Sequence, residues 1–307
     1  MASFTFTEAQ KLQNPLLEPA VFQSVIGVDE LTNFGYLPFA DNGGSIRLSW
    51  NKVGSYGTTD AVAVASTGAV THSAAFFTNN TIEINTIAKQ FRVSRAYASP
   101  VFASQQLIAA MHNVGEQFSV LLGASAAPAN TQITPTGVGG WSSWLESGNT
   151  ISAHTTSATG NISFAKLDEL RDIVRVPNVV YYMPMRTARA IRALYITAGV
   201  QPESIAAPSF GLSVMAYNGI PILRSTNCQT TLAECGHPSA PLESRVYAFS
   251  VDPNLGLMGF YNGANVLSLL GPNYVPGSVE DEYSIEYHVG LALQSPLGMG
   301  VLRGVLN

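Results

Sequence analysis

Apolar and polar residues alternate most cleanly in the segment Tyr283–Leu293. Ile285, Tyr287, Val289, Leu291 and Leu293 fall on one face, and Glu286, His288, Gly290 and Ala292 on the other. Period two predicts a strand with one buried face. Pro296 interrupts it, and Met299–Leu306 predicts a second strand. The chain therefore ends in strands built into a sheet. Upstream, Ile46, Leu48 and Trp50 alternate with Arg47, Ser49 and Asn51, and a partner is expected within 81–94. The intervening span, 54–80, is rich in Gly, Thr, Ala and Ser without a strong period. A long β-hairpin over 45–93 follows, with a weakly patterned tip. Such a ribbon is marginal alone.

The period changes to three-to-four after Ser99-Pro100, where Ser suits the N-cap and Pro the first helical position. Val101, Leu107, Ile108, Met111, Val114, Phe118, Leu121 and Leu122 predict one long helix closed by Gly123. Shorter patterns predict a helix over 164–174 capped by Ser163, a strand over 179–183, and a helix over 186–198 stopped by Gly199. Strands follow on either side of Asn218-Gly219, a primed-turn pair, and again over 247–251 and 255–260. The first forty residues carry scattered apolar groups, among them Phe22, between Pro15, Pro19 and Pro38. They read as an extended arm with one short helix near 7–13. Alternation of strands and helices over 163–260 predicts one mixed domain, and the class is α+β.

Composition changes the picture in one respect. Charged residues are 11% of 307, against about 25% in typical soluble domains. A surface so poor in charge is suited to burial against other subunits. The net charge is −5, and Lys11, Lys52, Lys89 and Lys166 are the only lysines. Without a basic tract, only weak, non-specific contact with nucleic acid is expected. The first residues show neither a basic n-region nor an apolar core, so no signal peptide is expected. No apolar run is long enough to span a bilayer.

Candidate chemistry is sparse. Cys228, Cys235 and His237 lie close in sequence. Free thiols, a Cys228–Cys235 disulfide and a partial zinc site are all open, although a structural zinc needs four ligands. His72, His112, His154 and His288 are scattered, and no nucleophile elbow or phosphate-binding glycine loop occurs. No catalytic residue, cofactor or metal site is expected. Glu280-Asp281-Glu282 reads as a solvated turn. Arg186, Arg189 and Arg192 form one helical stripe, either solvated or an intersubunit ion-pair row.

The order of elements resembles the major capsid protein of tailed bacteriophages, the Hong Kong 97-like fold that encapsulins share. The resemblance is carried by Tyr217-Asn218-Gly219-Ile220-Pro221-Ile222-Leu223, by Asp252–Gly259 with Leu255-Gly256-Leu257, and by Glu286–Leu293. Leu167–Leu170 and Met183–Leu194 resemble two further helices of the family, with Met183-Pro184-Met185 replacing its usual Asn-Pro. It implies an N-terminal arm (1–40), an E-loop hairpin (41–95) and a P-domain with spine helix and loop insertion (96–160). It further implies an A-domain (161–261), P-domain strands (262–296) and a final strand returning to the A-domain (297–307). No fused scaffolding segment is expected ahead of the arm.

The function implied is a capsid building block, forming hexamers and pentamers of an icosahedral shell around double-stranded DNA. Its expected partners are itself, separate scaffolding, portal and decoration proteins, and the packaged DNA, with no membrane. Its expected location is the virion, after assembly in the host cytoplasm. Candidate intersubunit residues are Phe22, Ile46, Trp50, Lys52, Arg186, Arg189 and Arg192. One branch of the family cross-links a hairpin lysine to a neighbour, for which Lys52 and Lys89 are the lysines available. The alternatives are an encapsulin-type compartment and, in another class, a carbohydrate-binding or hydrolytic domain using Trp141 and Trp144.

Overall fold

The computed structural model describes residues 29–33, 35–43, 47–55, 76–94, 100–123, 149–153, 160–208, 213–228, 230, 243–261, 267–274, 276–277 and 279–306. In chain order the elements begin with α1 (Glu30–Asn33), β1 (Phe39–Asp41), β2 (Arg47–Ser55), β3 (Phe76–Glu83), β4 (Asn85–Ser94) and α2 (Pro100–Gly123). Then come β5 (Thr150–Ser152), α3 (Phe164–Ile173), β6 (Val179–Pro184), α4 (Met185–Thr197), β7 (Glu203–Ala206), β8 (Ser213–Tyr217) and β9 (Ile220–Ser225). The chain continues through β10 (Ser244–Ser250), β11 (Leu257–Tyr261), β12 (Leu267–Tyr274), β13 (Glu280–Leu293) and β14 (Met299–Val305).

Local chemistry explains the sharper boundaries. The Ser163 hydroxyl accepts from the Lys166 amide at the start of α3, a side-chain N-cap. Gly199, at φ 70°, ends α4 in the left-handed conformation that suits glycine. Asn218 and Gly219, at φ 53° and 74°, make the primed turn between β8 and β9. The 24-residue α2 is about 36 Å long.

Seven strands form one sheet in the order β5-β14-β10-β6-β9-β8-β7. Every residue of β6 and β10 is buried, as befits central strands covered on both faces. Alternation then sorts the side chains. Val179, Tyr181 and Met183 meet Leu167, Leu170, Ile191 and Tyr195 of α3 and α4. Val180 and Tyr182 turn to the other side, with Leu223, Tyr247 and Phe249. That side packs on Met111, Val114 and Phe118 of α2 and on Ile285, Tyr287, Val289 and Leu291 of β13. The result is layered: helices, sheet, then a second core shared with α2 and a second sheet.

The second sheet is organised by β13. One edge pairs with β4, from Glu280↔Ser94 to Val289↔Asn85. The other edge pairs first with β12 and then with β11, and β1 runs parallel to β11. Gly259 permits that last approach, since a Cβ there would lie 2.4 Å from the Phe39 ring.

Four expectations change. Residues 85–94 leave the hairpin and join β13, where Ile87 enters the common core and Val93 is also buried. The ribbon is instead β2 with β3, in the register Leu48↔Ile82, Trp50↔Asn80, Lys52↔Thr78. Glu280-Asp281-Glu282 opens β13 instead of forming a turn, and Arg92 of β4 pairs with Glu282 at 3.8 Å. Residues 29–41 pack onto their own chain, with Leu31 and Leu37 fully buried or nearly so; the arm reading is thereby confined to residues before 29, which lie outside the described residues. The strand Leu257–Tyr261, grouped by sequence with 161–261, pairs in the β13 sheet.

Neither β2 nor β3 is hydrogen-bonded into the larger sheets. Replacing 47–83 with a short Gly-Ser linker is therefore expected to leave a cooperatively folding subunit, with a melting temperature within about 5 °C of the parent's, a shift worth about 1 kcal/mol or less. Thermal circular dichroism of the unassembled protein checks this.

Candidate assembly surface

Asp29 is the first of the described residues, and it is buried to 1% exposure. Its Oδ1 accepts from the Leu31 amide at 2.9 Å, which starts α1. Its Oδ2 accepts from the Tyr182 hydroxyl of β6 at 2.6 Å and from the Ser119 hydroxyl of α2 at 2.9 Å. Asn227 donates to Ser119 in turn. Asp29 also bridges Ser225 in antiparallel sense. The neighbouring Glu30 takes the Arg224 guanidinium, through Nε at 2.8 Å and through a second nitrogen, and its Oε2 accepts the Arg224 amide at 2.9 Å. Three elements far apart in sequence thus meet on one carboxylate. A buried ion with several hydrogen bonds is stable only while all of them persist.

Electrostatics at this junction keep its other groups neutral. Burial and then the Asp29 charge push the Tyr182 hydroxyl well up. The same two causes, in the same order, push up the Cys228 thiol. Cys228 is a buried free thiol. Cys235 and His237 lie outside the described residues, and among the described residues no group of three His, Cys, Asp or Glu converges as a metal site.

The predicted contact residues fall in different places. Phe22 and Ile46 lie outside the described residues. Trp50 and Lys52 are on β2, opposite Asn80 and Thr78. The arginine row divides: Arg186 is half-buried and donates to the Thr230 carbonyl at 3.4 Å, whereas Arg189 and Arg192 are exposed. His288 is a structural histidine, its Nδ1 2.8 Å from the Thr86 hydroxyl and its Nε2 3.7 Å from Glu286. His112 is exposed on α2. Among the described residues, no helix is long and apolar enough to cross a membrane. The Asp29 junction was absent from the sequence reading. Its one local signal was an Asp-Glu pair two residues before Leu31, the signature of a short capped turn.

No protein-family model and no curated protein matches the chain. Solved structures do. The holo-SrpI encapsulin complex from Synechococcus elongatus PCC 7942 aligns with a TM-score of 0.64 at 16% identity, over 88% of this chain and 85% of that one. The cyanophage A-1(L) capsid aligns at 0.58 and 12%, over 91% and 94%. The capsid of a native GTA particle aligns at 0.57 and 13%, over 88% of both chains. The chain has the Hong Kong 97-like capsid fold.

In this capsid-fold chain the Asp29 junction ties the entering segment to both the β6 sheet and α2. Asp29→Ala leaves buried donors of Tyr182 and Ser119 without their acceptor, and is expected to cost about 3 kcal/mol or more; Asp29→Asn, which keeps one oxygen, is expected to cost less. Urea unfolding of the unassembled subunit measures both. The thiol gives a second expectation. Cys228 stays protonated in the folded state, while the unfolded thiol ionises near pH ~8.5. Subunit stability should therefore fall as pH rises above that value, and between about pH 8.5 and 9.5, below the range in which unfolded tyrosines ionise, the fall should vanish in Cys228→Ala. In a C235S background, thiol reagents should reach Cys228 only on unfolding, a result read by labelling against urea concentration.

Proposed function

We propose that the chain is the building block of a closed icosahedral shell, the head of a tailed bacteriophage, with double-stranded DNA as its contents. The single observation that carries this is the extent of the fold likeness. It runs over about nine-tenths of the chain and includes neighbours that are themselves shells. In this reading β2 and β3 are the E-loop and α2 is the spine helix. The layers built on α3, α4 and the seven-stranded sheet are the A-domain, and the β13 sheet is the P-domain. The role is mechanical. The ribbon lies over a neighbouring subunit, the residues before Asp29 lace beneath another, and a low-charge surface is consumed in a large obligate interface. Charge of −5 overall suits contents held by confinement more than by phosphate neutralisation.

A second reading has its own support. The encapsulin alignment has the higher TM-score, 0.64 against 0.58 for the cyanophage capsid. An encapsulin-type compartment uses the same subunit mechanics around protein cargo. The contents separate the two: nuclease-protected double-stranded DNA in native particles supports the phage head, and a co-purifying enzyme supports the compartment.

Size is the first test. Purified protein should elute as megadalton particles by light scattering and appear as closed shells in electron micrographs. A stable 32.6 kDa monomer at all concentrations would overturn the shell reading and favour a ligand-binding or hydrolytic domain. The variant lacking 47–83 should fold but close no shells; normal particles from it would remove the ribbon from the mechanism.

A further inference from the structure

The helical layer over the seven-stranded sheet carries two outward stripes of opposite charge. On α3, Leu167 and Leu170 point inward, and Asp168, Glu169 and Asp172 are exposed. On α4, Ile191 and Tyr195 point inward, while Arg189 and Arg192 are exposed one turn apart. That stripe continues through Ile196, 66% exposed, to Val200, 57% exposed. The sequence of α4 contains three arginines and no acidic residue. Like charges one turn apart repel, by a few tenths of a kcal/mol per pair, so an isolated subunit gains nothing from this arrangement.

Nothing among the described residues answers it. Among the described residues, neither Arg189 nor Arg192 has an ion-pair partner. Arg186, the first of the row, is turned away toward the Thr230 carbonyl. The two helices touch through rings, Phe164 on Tyr195 with centroids 4.9 Å apart, and not through charges. On α3, Glu169 is shared with Lys166 at 2.7 Å, and Asp168 accepts from the Tyr217 hydroxyl at 3.0 Å. Asp172 makes no ion pair among the described residues. With both Lys166 and Arg171 counted against Asp168, Glu169 and Asp172, α3 still carries a net charge of −1.

We infer that the Arg189–Arg192–Ile196 stripe of α4 docks on the Asp168–Glu169–Asp172 stripe of α3 in a second copy of this chain. The occupant is set by charge complementarity and by the exposed apolar residues at the end of α4, which no contact among the described residues covers. The two stripes are different patches of one subunit, so the contact is head-to-tail. Repetition of such a contact closes a ring when the rotation between copies fits. The inference rests on the shell reading and names the residues that would join neighbours within one ring.

The test is a charge exchange. R189E/R192E and E169R/D172R are each expected to raise the protein concentration for half-maximal assembly at least tenfold, followed by light scattering. The four-site variant, with the signs exchanged, is expected to return within threefold of the parent. All four side chains are exposed, so the unassembled variants should melt like the parent; if a reversal pair fails to fold, R189Q/R192Q serves instead, with a rise of about threefold expected. Assembly of R189E/R192E at the parental concentration overturns the inference and leaves the shell reading intact. A four-site variant as defective as either pair also overturns it, because the arginines then contact something other than α3. A parent that never assembles overturns the shell reading and this inference with it.

Discussion

The architecture depends on a carboxylate in an apolar interior. Asp29 has almost no contact with water, and its two oxygens are satisfied by an amide of α1, a hydroxyl of β6 and a hydroxyl of α2. A buried charge is tolerated only with such company. The requirement works in both directions. The chain must arrive at one place for the ion to be satisfied, and β6 and α2 must stand at a fixed separation to receive it. Apolar packing is forgiving of small displacements; a hydrogen-bonded ion is much less so. The core supplies cohesion here, and Asp29 supplies the register between its parts.

That register matters because the two sheets share a core. Tyr182, Leu223 and Phe249 of one sheet meet Tyr287, Val289 and Leu291 of the other, with α2 between the chain's early and late halves. The Phe118 ring stands at 90° to Tyr287, with centroids 5.7 Å apart. In a shell subunit, load applied to the ribbon would reach the second sheet through the β3-to-β4 continuation, and pass to the first across this shared layer. A subunit jointed at that layer would bend there. The Glu30–Arg224 pair, beside Asp29, adds a second tie between the entering segment and β9.

Much of this was legible in the sequence where the determinant is local. Gly199 ends α4, Asn218-Gly219 turns β8 into β9, and the alternation from Ile285 to Leu293 places the buried face of β13, all as patterned. The face of α2 was readable from Leu107, Met111, Val114 and Phe118. Partnerships were less readable. Ile82 and Ile84 fall on even positions and Ile87 and Val93 on odd ones, so the alternation breaks phase near Asn85, but the break does not name the new partner. The choice is made by β13, about two hundred positions away. Asp29 was invisible for the same reason: its donors lie 90 and 153 positions along the chain. The arginine row was legible as a stripe, but that Arg186 turns inward follows from where Thr230 lies.

β13 carries a further consequence, in time. It is the strand with which β11, β12 and β4 all pair, and it follows all three in the chain. At ~5–20 residues per second, β4 would wait about 10–40 s between its own emergence from the ribosome and that of its partner. During that interval β4 can pack on α2, which follows it closely, but the sheet has no centre. A nascent chain meanwhile presents an unpaired strand. Synthesis of β13 therefore sets the moment at which that sheet can close.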